Sequence, residues 1–318
     1  MAGSNKSVLE VDMLVKIFSQ QSFFGQKKEF VGVNGISFSL HEGEILGFLG
    51  PNGAGKTTTI QMLLSLMTPT SGAIRYFGKD FFRYRSETLQ HIAFASAYTK
   101  LPARLTIAEN LDIYGRLFGL SADTRATKIK EYLSFFGMWS VRDKPAGLLS
   151  AGQTTRVMLA KAFLADPKIV LLDEPTASLD PDVAYDVRNF VMQQQRERNI
   201  SVLFTSHNMD EVEEICDRVL ILKNGSIIAD NTPEEIAASI SKTQLSIMVT
   251  GENLIKTEQY IKEHQLLYQI TQHFVEIQVD EDRIASLLAN LAKRDVVYSQ
   301  ISIEKPTLED YFLHIAKQ

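Results

Sequence analysis

Apolar residues in this chain gather in short continuous runs of strand length, separated by stretches with helical spacing. Residues 45–49, 92–95, 169–172, 201–205 and 219–222 are such runs, and each is too short to be a buried helix. Between them Ile60, Leu63, Leu64 and Met67 fall at i, i+3, i+4 and i+7, the spacing of one buried helix face. Val157, Leu159, Ala160, Phe163 and Leu164 mark another helix, and residues 181–196 and 209–215 two more. Buried strands alternating with helices predict an α/β core. Two β-rich patterns precede this core, at residues 8–18 (Val11, Leu14, Val15) and 30–40 (Val31, Val33, Ile36, Phe38, Leu40).

Residues 101–165 change character. Thr106 and Glu109 form a capping box that opens a helix through Leu117, Ser121 caps a second, and residues 128–136 carry a third apolar face. This reads as a helical lobe inserted into the α/β core. The pattern then resumes, and Asn224-Gly225 between two short strands predicts a type I′ hairpin. Thr232-Pro233-Glu234-Glu235 opens a further helix, with proline at its first position. A boundary is expected near residues 238–242, giving domains at 8–240 and 243–318. The second reads β-α-β-β-α-β, a small α+β ferredoxin-like module, followed by a helix capped by Thr307 that holds Tyr311, Phe312 and Ile315.

Composition narrows the class. Of 318 residues, 45% are hydrophobic and 22% charged, ordinary values for a globular protein. A net charge of −5 argues against nucleic acid as a partner. Cys216 is the single cysteine, so no internal disulfide forms and a reducing compartment fits. Residues 1–7 are polar and lack the apolar stretch of a secretion signal. No apolar run approaches the roughly 18 residues that span a bilayer.

The candidate chemistry centres on Gly50, Pro51, Asn52, Gly53, Ala54, Gly55, Lys56, Thr57 and Thr58, which satisfy the phosphate-loop pattern G-x-x-x-x-G-K-[ST]. Its glycines let successive amides turn toward an anion, Lys56 adds a cation, and the Thr57 hydroxyl suits Mg²⁺. A strand before and a helix after the loop complete an anion site, so a nucleoside triphosphate is the expected ligand. Asp173 and Glu174 end the apolar run 169–172, where an NTPase holds its metal and activates water. Ser150, Gly152 and Gln153 precede a helix and make a second candidate anion site. His207 ends the strand-like segment 201–207. Phe18 or Phe24, flanking a polar loop, is the candidate for stacking on a purine.

The order and spacing of residues 50–58, Leu149-Ser150-Ala151-Gly152-Gln153, Asp173-Glu174-Pro175-Thr176, Ser178-Leu179-Asp180 and Thr205-Ser206-His207 resemble an ABC transporter ATPase subunit. The resemblance covers residues 8–238, and residues 306–313 are similar to the tail of the multidrug or type-2 exporter branch. It implies a P-loop NTPase core that uses ATP and Mg²⁺, with Lys56 on the phosphates, Thr57 and Asp173 on the metal, and Glu174 as general base. His207 is then the switch histidine at the γ-phosphate. Ser150, Gly152 and Gln153 form the signature segment, and Asp180 lies in the D-loop, both facing ATP held by the opposite subunit.

The implied partners are a second ATPase subunit, identical or paired, and an integral membrane permease that holds the chain on the inner face of the cell membrane. Two departures stand out: Ala151 replaces the signature glycine, and Ala97 falls where the family's Q-loop glutamine stands. Two rival readings are a soluble ABC ATPase uncoupled from transport, and an ATP-gated regulatory module. The first usually carries two cassettes or a long coiled coil, neither present here, and intact Glu174 and His207 weigh against the second.

Overall fold

The computed structural model describes residues 6–21, 27–96, 99–177, 179–239 and 243–316. They form two units, Met1–Thr232 and Pro233–Gln318. In chain order the first unit begins with β1 (Ser7–Gln21), β2 (Lys27–His41), β3 (Ile45–Leu49), α1 (Lys56–Leu63), β4 (Ser71–Tyr76), β5 (Lys79–Asp80), α2 (Arg85–Leu89) and β6 (Ile92–Ser96). The helical lobe follows as α3 (Ile107–Leu117), α4 (Ala122–Phe135) and α5 (Ala151–Phe163). The core then resumes with β7 (Ile169–Asp173), α6 (Pro181–Arg198), β8 (Ser201–Thr205), α7 (Met209–Ile215), β9 (Arg218–Lys223) and β10 (Ser226–Asn231).

Two sheets share one core. The central sheet has the order β10-β9-β3-β8-β7-β6, parallel from β9 to β6 with β10 antiparallel at the edge. The second, β2-β1-β4-β5, is antiparallel throughout. Leu46 and Phe48 of β3, Ile60 and Leu63 of α1, and Leu9 and Ile36 of the antiparallel sheet are buried in one cluster. Strands β3, β7 and β8 are buried almost end to end, which is why they read as continuous apolar runs. Because β3, β8 and β7 are adjacent and parallel, their carboxyl ends open on one rim, where open α/β sheets hold ligands.

The lobe differs in one respect from the sequence reading. Ser121 caps a single helix, α4, that runs through the expected third face to Phe135, because nothing between residues 122 and 135 breaks it. Phe190 of α6 joins this lobe to the core. Its ring lies 4.7 Å from Phe135 and 4.8 Å from Phe163 between centroids. Both central residues of the 224–225 turn have positive φ, +51° and +79°, as a type I′ turn requires.

The second unit runs α8 (Pro233–Ala238), β11 (Thr243–Met248), α9 (Glu252–Glu263), β12 (Leu267–Thr271), β13 (Phe274–Val279), α10 (Ile284–Lys293), β14 (Ser299–Glu304) and α11 (Leu308–Ala316). Its antiparallel sheet has the order β12-β13-β11-β14, and Leu245, Ile247, Val275 and Ile277 pack with Ile261, Leu287 and Leu291 of α9 and α10. The unit includes α8, which packs with α11.

Candidate nucleotide site

The phosphate loop leaves β3 at Gly50. A Cβ there would sit 2.3 Å from the Leu222 carbonyl oxygen of β9, and one at Gly55 would sit 2.6 Å from the Gly32 carbonyl oxygen. Both have φ in the region that favours glycine, +148° and +104°, so these two positions admit no side chain. Helix α1 begins at Lys56 with no side-chain cap and no acidic residue in its first turn, which leaves its leading amides to an anion. The Lys56 ammonium donates to the carbonyls of Gly50 and Pro51. Burial lowers its pKa, against the opposing pull of Glu174 and Asp173. The β9–β10 turn braces the loop: Gly225 N donates to Ala54 O at 3.1 Å, and Asn34 N of β2 donates to Gly225 O at 2.8 Å.

The ends of β7 and β8 supply the acidic side. Thr205 Oγ1 donates to Asp173 Oδ1 at 2.9 Å and accepts from the Glu174 amide at 3.0 Å. That amide also meets the Thr205 carbonyl at 3.2 Å. Glu174 stands in the left-handed region at φ +54°, a conformation that costs about 1–3 kcal/mol and persists where surrounding bonds fix it. Its carboxylate is nearly enclosed. His207 Nε2 lies 3.2 Å from Oε1, and the His207 amide donates to Oε2 at 3.3 Å. Burial raises the Glu174 pKa; His207 works against that shift and the charge of Asp173 adds to it.

These groups line a cavity of about 560 Å³ that includes residues 51–58, Asp173, Glu174, His207, Ser96 and Phe30. Lys56, Thr57 and Thr58 therefore face Asp173, Glu174 and His207 across one space. Ser150, Gly152, Gln153 and Asp180 are absent from its wall. Ser150 instead caps α5, with its Oγ accepting from Gln153 N and its own amide donating to Gln153 Oε1, both at 3.2 Å. Ala151 is the first helical residue, where alanine suits the backbone as well as glycine. Asp180 is the N-cap residue of α6, ahead of Pro181.

Phe18 does not line the cavity; its ring stacks on that of its cross-strand partner Phe30, 5.6 Å between centroids, and Phe30 is the one on the wall. Phe24 and the Q-loop position Ala97 lie outside the described residues. Sequence reasoning also missed Thr205, whose signal was a hydroxyl at the end of a buried strand beside two carboxylates.

A family model described as ABC transporter matches residues 33–177. The chain is 30% identical over 311 residues to the bacitracin transport ATP-binding protein of Bacillus licheniformis, covering 95% of this chain and 97% of that one. It is 37% identical over 219 residues to the Nod factor export ATP-binding protein of Burkholderia lata, covering 68% and 70%. A solved structure of an ATP-binding subunit of an ABC transporter aligns with a TM-score of 0.65 at 27% identity, over 73% of this chain and 93% of that one. With the phosphate loop, the paired acids and the histidine converging on one cavity, the chain belongs to the ATP-binding proteins of the ABC transporter family.

Proposed function

We propose that this chain hydrolyses ATP to drive an exporter, and that two such subunits close head to tail around two ATP molecules. The observation that carries the reading is the separation of two anion-binding helix starts. Lys56 and the α1 amides face the cavity, whereas Ser150 and the start of α5 stand off its wall. Each half is complete only against the opposite half of a second copy or a paired subunit. The relatives named for bacitracin transport and Nod factor export support the transport role. No helix among the described residues is long and apolar enough to cross a membrane, so a separate permease would provide the path and hold the chain at the inner face of the membrane.

In this reading Lys56 exchanges the Gly50 and Pro51 carbonyls for phosphate oxygens, and Phe30 replaces Phe18 as the platform for the adenine. Glu174 takes the proton of the attacking water, with His207 beside it to hold the γ-phosphate. Thr57 and Asp173 offer a hydroxyl and a carboxylate on the cavity wall, hard oxygen donors that fit Mg²⁺ with the remaining positions left to phosphates and water. When bound, Mg²⁺ neutralises developing charge on the phosphates. The second unit is an accessory domain with a ferredoxin-like fold.

Mixing two disabled proteins tests the arrangement. Lys56→Ala and Ser150→Arg are each inactive alone, while their mixture forms one intact composite site and regains hydrolysis. A mixture that stays inactive, with both proteins folded and wild-type chains active, contradicts the head-to-tail reading.

A further inference from the structure

Outside the cavity, one buried carboxylate collects bonds from three separate segments. Glu211 of α7 is 5% exposed, and Thr176 Oγ1 donates to its Oε2 at 2.6 Å, as does Ser206 Oγ at 2.8 Å. Arg188 of α6 donates to its Oε1 at 3.1 Å and to Glu214 Oε2 at 2.6 Å. Ser206 Oγ also accepts from Asn208 N at 3.0 Å, so the hydroxyl is fixed from both sides.

The positions of these partners matter more than their number. Thr176 follows Glu174 by two residues, and Ser206 immediately precedes His207. The single oxygen Oε2 therefore ties the segment carrying the general base to the segment carrying the histidine. The other oxygen ties both to α6, the helix whose N-cap residue is Asp180. We infer that Glu211 is a positioning residue that sets the Glu174–His207 separation and couples it to α6. The inference rests on the catalytic reading of Glu174 and His207 proposed above. A carboxylate suits the task because it accepts from several donors at once, and charge-assisted bonds of this kind are the strong ones. Its enclosure keeps water from competing for those bonds.

The inference is tested in the full chain by steady-state hydrolysis of MgATP. Glu211→Gln keeps the size of the side chain but replaces one acceptor oxygen with an amide that faces a donor. Displacement of the base relative to the histidine lowers kcat about 10- to 100-fold while KM for ATP stays within about twofold, since the phosphate loop is untouched. A purely structural role would lower the melting temperature and leave kcat per folded molecule unchanged. On the Glu211→Gln background His207→Ala costs less than in the wild type, because the part of its effect that runs through the Glu174 pairing is already lost. Should Glu211→Gln fail to fold, Ser206→Ala and Thr176→Val each delete one donor and carry the same prediction at smaller size. Wild-type kcat in the folded variants overturns the inference, as do effects of Glu211→Gln and His207→Ala that simply multiply. If Glu174→Gln itself turns over normally, the catalytic reading fails and the inference falls with it.

Discussion

His207 Nε2 stands 3.2 Å from Glu174 Oε1, and the two side chains are unequal in exposure, 58% for the histidine and 8% for the glutamate. The buried partner is suited to take a proton from a confined water, and the exposed one to reach a phosphate entering the cavity. The pairing fixes a pH dependence. Glu174 acts as a base only when ionised, and burial raises its pKa above the usual glutamate value. kcat/KM therefore falls on the acid side at a higher pH than an ordinary glutamate would set. His207 holds that pKa down, so His207→Ala moves the acid limb further up in pH as well as lowering kcat. A kcat/KM profile from about pH 4 to 9, which reports the free enzyme, checks both statements. A limb at the ordinary glutamate value, or one unmoved in His207→Ala, contradicts them.

Thr205 serves both acids through one hydroxyl, donating to Asp173 and accepting from the Glu174 amide. Thr205→Val takes a donor from the half-buried Asp173 carboxylate and leaves the Glu174 amide only the Thr205 carbonyl, a loss of about 1–3 kcal/mol. In a domain of this size the melting temperature drops by about 2–4 °C for each kcal/mol. If Asp173 holds the metal, the Mg²⁺ concentration at half-maximal turnover also rises. A lowered melting temperature with unchanged Mg²⁺ dependence would confine Thr205 to folding.

Phe30, on the cavity wall, is the proposed base platform, and Phe18, stacked on it, the proposed support. Phe30→Ala raises KM for ATP about 5- to 150-fold, the range a base–aromatic stack of about 1–3 kcal/mol implies. Phe18→Ala has a smaller effect, because its ring packs beneath Phe30 rather than on the cavity wall. Equal effects, or a larger one for Phe18, would return the role to Phe18.

Lys161 lies along α5 with its ammonium 4.7 Å from the Tyr114 ring centroid of α3, and burial lowers its pKa to about 8. Below that value the folded protein bears the full cost of the buried charge. Between about pH 8 and about 10.5 the unfolded chain holds more protons, so stability from this group rises with pH. Lys161→Met therefore raises the melting temperature near neutral pH by about 2–4 °C, and the gain shrinks toward pH 10.5. A gain independent of pH would trace the effect to packing alone.

Much of the site was legible because it lies at the ends of strands buried on both faces. The run 169–172 followed by Asp173-Glu174, and the run 201–205 followed by Ser206-His207, announce both the strands and their chemical ends. What escaped depends on contacts between distant segments. Phe18 and Phe30 are cross-strand partners on one face, so alternation alone cannot rank their distance from the phosphate loop. The helix start at Pro233 was readable, but its grouping with α11 rests on packing some 70 residues away. Glu211 sits in the acidic stretch Glu211, Glu213, Glu214 and reads as a solvated face; its one signal is a place four residues before buried Ile215, on the same side of α7.

In the proposed mechanism ATP is hydrolysed at a site built from two subunits, with Glu174 as the base. Sedimentation of the Glu174→Gln protein, with and without ATP, tests it most directly. Turnover falls roughly 10²–10⁴-fold, ATP still binds, and the protein passes from monomer to dimer only when ATP is added. A Glu174→Gln protein that binds ATP yet stays monomeric at saturating nucleotide, or that hydrolyses it near the wild-type rate, would contradict the account.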